Sequence, residues 1–316
     1  MKRKKIKIII PLFDDWENFN IIAKKIQSNN EISQHDIEII LVNDHSTTPY
    51  QNVVSHESLK ITLIDLVKNF GNQKAISIGL RYLHENYQYS DYDHVIVMDS
   101  DGEDKAEDIE NLIKASDSDD QIVFARRGKR NENFLFKFFY YTYKKIFKLF
   151  TSKSIDVGNF SCIPAKLIKT IVSLQDIDLH YAASVIKSKI NYKKVDCNKG
   201  QRMFGQTKLS FHRHLLHGLI SLSLFAEVIA VNIFFISILS MFFLIIFAAM
   251  VLISKIFFNF VLLGWTSIIL ISSLSLFFIL FLLCIFSLII LLNKNSHNQS
   301  SAKFINKNFI ESIKSL

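Results

Sequence analysis

His94-Val-Ile-Val-Met-Asp-Ser-Asp-Gly-Glu-Asp104 decides how this chain is read. Residues 95–98 form a short apolar run, β-branched at most positions, as a buried strand should be. The run ends in a cluster of carboxylates: Asp99, Asp101, Glu103 and Asp104. In open α/β sheets, ligands bind just beyond the carboxyl ends of strands. Two Asp side chains one residue apart at such an end suit a hard divalent cation, Mg²⁺ or Mn²⁺, which would in turn hold phosphate oxygens. Asp99 and Asp101 are therefore candidate metal ligands, with Glu103 a third. The alternative is a solvated acidic turn that caps the helix after it.

Strands and helices alternate on both sides of this run. Strands are expected at 7–12, 37–42, 61–66, 95–98 and 122–125, and helices at 16–28, 72–86 and 106–115. The helix at 72–86 places Ala75, Ile78, Gly79 and Tyr82 on one apolar face. Such alternation predicts a largely parallel sheet with helices on both faces. No internal repeat is evident.

Composition changes abruptly at Leu224, beyond which the chain is almost wholly apolar; this accounts for the overall hydrophobic content of 49%. Residues 228–253 and 261–292 each exceed the roughly 20 residues a spanning helix needs. The residues between them suffice only for a tight hairpin. Basic residues flank the spans on the outside: Lys193, Lys194, Lys199, Arg202, Lys208 and Arg213 before, Lys294, Lys303, Lys307 and Lys314 after. The hairpin tip carries only Lys255. The positive-inside rule then places the large domain and the tail in the cytoplasm, on a multi-pass protein of the cytoplasmic membrane. The formal charge of +8 is partly topological and partly suited to anionic headgroups, so nucleic-acid binding is a poor reading. The expected organisation is a domain at 1–210, a juxtamembrane segment at 211–227, the two spans, and a cytoplasmic tail at 293–316 with a polar, linker-like start.

The N-terminal Lys2-Arg-Lys-Lys5 precedes an apolar stretch that is too short for a signal peptide, contains Lys7 and ends at Asp14-Asp15, so a first strand is expected there. Cys162, Cys197 and Cys284 have neither zinc spacing nor a disulfide pattern and fit a reducing compartment.

Five segments, in order, resemble family 2 glycosyltransferases of the polyprenyl-phosphate type, the group that includes dolichyl-phosphate mannose synthase and bacterial undecaprenyl-phosphate glucosyltransferases. Ile10-Pro-Leu-Phe-Asp-Asp-Trp-Glu-Asn18 stands where the family has Pro-X-Tyr-Asn-Glu-X-Glu-Asn. Leu41-Val-Asn-Asp-His-Ser-Thr47 resembles Val-Asp-Asp-Gly-Ser-Thr, and Lys68-Asn-Phe-Gly-Asn-Gln73 resembles Arg-Asn-Phe-Gly. Asp99-X-Asp101 matches the family's metal motif. Gln201-Arg-Met-Phe-Gly-Gln-Thr-Lys-Leu209 is similar to Arg-X-X-Gly-X-Ser-Lys-Tyr/Leu, placed just before the membrane helices. There are departures: Asn43 replaces a family carboxylate, Asp14-Asp15 replaces Asn-Glu, and Asp156-Val-Gly-Asn-Phe160 lacks the second Asp and the Arg of Asp-X-Gly-Asp-Phe-Arg.

The resemblance implies a GT-A type nucleotide-sugar-binding domain followed by two transmembrane helices. It implies transfer from a nucleotide diphosphate sugar to polyprenyl phosphate at the bilayer surface, for cell-envelope glycan or lipid modification. It places Pro11, Asp15, Asp44, Asn69, Gly71 and Asp99 on the donor, with Asp15 and Asp44 toward ribose and base. Asp15 could instead cap the helix at 16–28, and Asn69 and Gly71 could form an ordinary turn.

Charge argues the chemistry. The leaving diphosphate gains negative charge as the anomeric bond breaks, and a divalent ion on Asp99 and Asp101 would act there as Lewis acid. A phosphate monoester, with a second pKa of about 6, is already mostly ionised and needs no general base. Positive side chains around the acceptor are expected instead. Arg126, Arg202 and Lys208 are the candidates, with Arg127 and Arg130 adjacent; a solvated basic face is the alternative for all five. Asp101 and Arg202 carry the expected catalytic roles.

Residues 133–151, dense in aromatics and lysines, suit a helix lying in the headgroup region or one packed on the sheet or a neighbouring protomer. His212, His214 and His217 read as decoration of a juxtamembrane helix. Glu227 at the start of a span needs a partner or the interface, and shelter for it favours a homo-oligomer. A transferase extending a lipid-linked saccharide, or a non-enzymatic donor-binding scaffold, are the competing functions. A processive synthase is disfavoured because no Gln-X-X-Arg-Trp occurs.

Overall fold

In the computed structural model the described residues are 3–48, 59–127, 141, 145, 147–149, 151, 156–197, 200, 211–258, 264–297 and 308–316. Eight strands form one mixed sheet: β1 (Lys5–Leu12), β2 (Asp36–Asn43), β3 (Lys60–Leu66), β4 (His94–Val97), β5 (Ile122–Arg127), β6 (Ser161–Pro164), β7 (Tyr192–Cys197) and β8 (Ile310–Ser315). Their spatial order is β7-β5-β6-β4-β1-β2-β3-β8. β4, β1, β2 and β3 are mutually parallel, β7 runs parallel to β5, and β6 and β8 are antiparallel to their neighbours. The expectation of a largely parallel sheet holds for its centre. The antiparallel β6 between β4 and β5, the edge strand β8 and β7 are additions.

β1 shows why the sheet forms. Ile6, Ile8, Ile9, Ile10 and Leu12 are all essentially inaccessible, so both faces of the strand are covered, as helix-flanked parallel strands require. Each such side chain contributes about 1.5–3 kcal/mol on burial. Helix α1 (Trp16–Ser28) buries Trp16, Phe19, Ile22, Ala23 and Ile26, an i, i+3, i+4 stripe. Helix α2 (Asn72–Asn86) does the same with Ala75, Ile78, Gly79 and Tyr82 among its buried residues. Both helices have the bounds expected from the sequence. The helix expected at 106–115 begins instead as a tight 3₁₀ turn at Ala106–Asp108. It continues as α3 (Ile109–Asp119), which closes on Asp120 in the left-handed region. Short helices α4 (Ile168–Val172) and α5 (Tyr181–Lys187) follow β6.

Beyond the sheet come α6 (Phe211–Ser223), α7 (Ala226–Phe258) and α8 (Trp265–His297). The second long helix is described from Trp265, after Gly264 with φ +91. Two helical stretches, Ala226–Phe257 and Trp265–Ile290, are long and apolar enough to cross a membrane. Large apolar side chains such as Phe243 and Phe286 are exposed along them, which water would penalise and lipid would not.

The chain divides into two compact units. One comprises 1–144, 153–224 and 302–316, so the chain end belongs with the sheet; the other comprises 145–152 and 225–301. In the second unit Phe147 is buried and meets Phe225 edge-on at 5.1 Å, whereas Leu149 is exposed. That stretch of the aromatic–lysine segment therefore has one packed side and one apolar side open. Glu227 lies in the first turn of α7. The side chains of His212, His214 and His217 lie outside the described residues.

Candidate functional site

The parallel strands β4, β1, β2 and β3 stand side by side, so their carboxyl ends open on one edge of the sheet. β5 shares their direction, since β6 is antiparallel to both β4 and β5. Buried Pro11 near the end of β1, Asp15 at the start of α1, Asp44 after β2, Asn69 and Gly71 after β3, and Asp99 and Asp101 after β4 all gather on this edge. Arg126 near the end of β5 shares it.

Each loop is anchored by a side chain. Asp44 is buried and accepts from the Phe70 N–H at 2.7 Å on Oδ1 and the Gly71 N–H at 2.8 Å on Oδ2. Burial raises its pKa, and the two backbone donors oppose that. Gly71 sits at φ +88 with open space where a Cβ would be, so backbone conformation, not crowding, favours glycine there. Asp14, at φ +48, accepts from Thr47 Oγ1 at 2.9 Å and from the Thr48 N–H and Oγ1 at 2.9 and 3.0 Å. Burial acts to raise its pKa, but these donors outweigh it and the net shift is downward. Asp15 occupies the N-cap position of α1 without a capping side-chain bond, and its Oδ1 accepts from Asn18 Nδ2 at 2.7 Å.

The acidic loop is more elaborate than its sequence suggests. Asp99 Oδ1 accepts from Asn72 Nδ2 at 3.1 Å and Asn159 Nδ2 at 3.2 Å. Gln73 Nε2 donates to Asn159 Oδ1 at 3.0 Å, and Gln73 Oε1 accepts from the Tyr181 N–H at 2.7 Å. Asp104, buried, accepts the Asp99 N–H at 2.9 Å, and Asp101 Oδ1 accepts the Glu103 N–H at 3.0 Å. Burial first, then the charge of Asp99, push the pKa of Asp101 up to about 7, with Glu103 and Asp104 adding to the rise and the Glu103 N–H opposing it.

This carboxylate pair has the chemistry of a cation site. A buried carboxylate whose charge is disfavoured by a neighbouring carboxylate, as Asp101 is by Asp99, belongs to a donor set that a hard divalent cation relieves. Among the described residues no three His, Cys, Asp or Glu side chains converge into a cage, so Asp99, Asp101 and Glu103 do not form a preformed trio. A magnesium-type ion needs none, because it is held by one or two carboxylates with water and phosphate completing its shell. Asp99 and Asp101 fit such an ion.

The basic candidates divide. Arg126 Nε and Nη2 donate to Asp196 Oδ1 and Oδ2 at 2.6 and 2.9 Å, an exposed pair across β5 and β7, so an acceptor phosphate would compete with Asp196 for it. Arg202, Lys208 and Arg130, and the Arg127 side chain, lie outside the described residues. Gly200, just before the 201–209 motif, is described: its N–H donates to the Glu103 carbonyl at 2.8 Å. A Cβ at Gly200 would lie 2.4 Å from the Gly102 carbonyl oxygen, so only glycine permits this approach.

Sequence reasoning missed Asn72, Gln73, Asn159 and Gly200, and gave Asp104 no role beyond membership of the acidic cluster. Asn72-Gln73 and Asn159 lie inside recognised motifs, but nothing local points the Asn72 and Asn159 amides at Asp99 or that of Gln73 at Asn159.

Acidic strand ends on a mostly parallel α/β sheet, facing one edge, define a GT-A-like domain. The Glycosyl transferase family 2 profile matches residues 7–171, more than half of the chain, and the protein belongs to that family. It is 24% identical over 268 residues to an undecaprenyl-phosphate 4-deoxy-4-formamido-L-arabinose transferase of Photorhabdus laumondii, covering 78% of this chain and 79% of that one. It is 24% identical over 185 residues to the bactoprenol glucosyl transferase of Shigella phage SfV, covering 55% of this chain and 57% of the relative, so it spans little more than half of that protein. Among solved structures, mannosyl-3-phosphoglycerate synthase from Rubrobacter xylanophilus superposes with a TM-score of 0.50 at 13% identity, covering 70% of this chain and 73% of that one, a likeness of fold.

Proposed function

We propose that the protein transfers a sugar from a nucleotide diphosphate sugar to polyprenyl phosphate at the cytoplasmic face of a membrane, with inversion at the anomeric carbon. The observation that carries this reading is the Asp99–Asp101 pair at the end of β4, seated among the loops that follow β1, β2 and β3. Family membership and relatives named for undecaprenyl-phosphate and bactoprenol substrates support the choice of donor and acceptor.

Asp99 and Asp101 would hold Mg²⁺ or Mn²⁺ against the donor diphosphate, where the ion stabilises the charge of the leaving group. The amides of Asn72 and Asn159 orient Asp99 for this. Asp44 holds the Phe70–Gly71 backbone, shaping the nucleoside side, and Pro11, Asp15 and Asn69 border it. An oxygen of the ionised lipid phosphate forms the new bond to the anomeric carbon as the bond to the diphosphate breaks, and the nucleoside diphosphate leaves. No proton need be removed from the nucleophile.

Arg202 and Lys208 are assigned to hold that phosphate, with Arg126 a further candidate that must first leave Asp196. Gly200, whose N–H bonds the Glu103 carbonyl, precedes Arg202 by two residues in the sequence, which supports Arg202. The proposed topology, with the domain and the tail both cytoplasmic, is supported by β8, which follows α8 in the chain and pairs with β3 in the same sheet as β1–β7. We further assign domain bounds of 1–210, 211–227 and 293–316 around the spans, and a homo-oligomer.

The test is transfer of radiolabel from a panel of nucleotide sugars by the purified full-length protein, with and without polyprenyl phosphate. Labelled lipid formed only with the acceptor, with inverted anomeric configuration, is expected. Donor binding without lipid product would favour the scaffold, and product only with a lipid-linked saccharide would favour the extending transferase. Arg202→Ala should raise the KM for the lipid phosphate more than that for the donor.

A further inference from the structure

The chain end rejoins the sheet after the two long helices and reaches the nucleoside side of the site. β8 pairs antiparallel with β3, from Thr62 opposite Ser315 to Leu66 opposite Ile310. The Val67 N–H donates to the Phe309 carbonyl at 3.0 Å. Asp65 Oδ2 accepts from Ser312 Oγ at 2.7 Å and Lys314 Nζ at 2.9 Å, while its Oδ1 accepts from Asn43 Nδ2 at 2.9 Å. Asn43 Oδ1 in turn accepts the Ser46 N–H at 3.0 Å, so Asp65 links the tail to the turn after β2. The Phe309 ring meets Phe70 edge-on at 5.2 Å, and Lys74 Nζ lies 4.6 Å from its centroid. Phe70 and Gly71 are the residues whose N–H groups seat on Asp44.

We propose that Phe309 and Ser312 of this returning strand form a positioning wall of the donor site: by holding the 67–71 loop and the 43–46 turn on either side of Asp44, they make nucleoside diphosphate binding depend on the return of the chain end to the sheet. This rests on reading the strand-end edge as the donor site. Protection of the β3 edge alone would need only backbone pairing, which any strand supplies. The side chains do more, because Phe309 and Ser312 are directed at contacts flanking Asp44. Lys68 and Asn69 are exposed, and a loop with so few buried contacts depends on anchors of this kind.

The test uses the full-length protein in detergent, as wild type, Phe309→Ala, Phe309→Tyr and Glu311→Ala, the last an exposed change on the same strand. Hydrogen exchange of the peptide spanning 67–73 is measured together with calorimetric affinity for UDP, GDP, CDP, ADP and dTDP in the presence of Mn²⁺. Loss of an edge-to-face ring pair corresponds to a several-fold to about tenfold effect. Phe309→Ala should speed exchange and weaken the nucleotide that wild type binds by that factor, with Phe309→Tyr restoring both and Glu311→Ala changing neither. A folded Phe309→Ala protein with unchanged nucleotide affinity would overturn the proposal, whether or not loop exchange rises. If wild type binds none of the five nucleotides, the donor-site reading itself fails and takes the proposal with it, a result distinct from normal wild-type binding that Phe309→Ala leaves unaltered.

Discussion

The side-chain amide of Asn159 donates to Asp99 Oδ1 at 3.2 Å, although 60 residues separate them. Gln73 holds Asn159 from behind, and Asn72 donates to the same oxygen of Asp99. The residue standing where the family pattern has a carboxylate therefore supplies a hydrogen-bond donor, not a further negative charge. Asn159→Asp would remove the donor and set a further carboxylate, besides Asp101, against Asp99. Partners that orient a metal ligand typically matter about 10- to 100-fold. Mn²⁺ affinity, read by electron paramagnetic resonance, and transfer rate should change by that order, while Asn159→Ser should show a smaller effect. Equal Mn²⁺ affinity in Asn159→Asp and wild type would remove Asn159 from the site.

Asp101→Asn should abolish transfer without harming the fold. Burial and the neighbouring Asp99 disfavour the Asp101 charge in the folded state, so an uncharged isostere relieves a cost. Its melting temperature in metal-free buffer should equal or exceed that of wild type. Full activity of the variant, or of wild type in excess chelator, would remove the carboxylate pair from the chemistry.

Two glycines should fail for different reasons. At Gly71 a Cβ meets open space, so Gly71→Ala is opposed only by the backbone at φ 88 and ψ 156, a region essentially reserved to glycine and worth about 1–3 kcal/mol, and Gly71→Asn should cost as much. At Gly200 a Cβ falls 2.4 Å from a backbone oxygen, so Gly200→Ala and Gly200→Asn should both break the contact with Glu103. Thermal melts and transfer assays on the four variants distinguish the cases.

Acid should weaken the sheet through Glu38. Burial raises its pKa, but hydrogen bonds from Lys7, Tyr87 and Lys60 outweigh that and bring it to about 2 from 4.5. The folded state thus favours the ionised form. The contribution, on the order of 2–3 kcal/mol, is complete above pH 4.5 and is lost as pH falls toward 2. Glu38→Gln should lower the melting temperature at pH 7, and the difference from wild type should shrink steadily from pH 4.5 downward. A difference independent of pH would show that packing, not charge, holds Glu38.

Cysteine placed at Lys255 should react with an impermeant thiol reagent in intact cells, whereas cysteine at Lys303 should not. The native Cys162, Cys197 and Cys284 are buried and give little background. The reverse labelling would put the strand-end edge away from cytoplasmic nucleotide sugars.

The sequence by itself determined what depends on neighbours along the chain. The apolar stripe Phe19, Ile22, Ala23, Ile26 repeats at helical spacing, so α1 was legible to the residue, as was α2. The two long helices follow from unbroken apolar composition, and the acidic end of β4 from a hydrophobic run that stops at Asp99. The tertiary structure alone decided what depends on which strands become neighbours. β6 is a short Ser161–Pro164 segment whose place between β4 and β5 comes from pairing with His94–Val97, not from any period of its own. β8, with the alternately polar run Ile310–Ser315, resembles a solvated tail until β3 offers its edge, and Asp65 reaches Ser312 across 247 residues. The amides on Asp99 obey the same rule. A hydrogen bond is set by position in space, and residues such as Asn72, Gln73 and Asn159 carry no local pattern announcing which partner they will meet once the chain has closed.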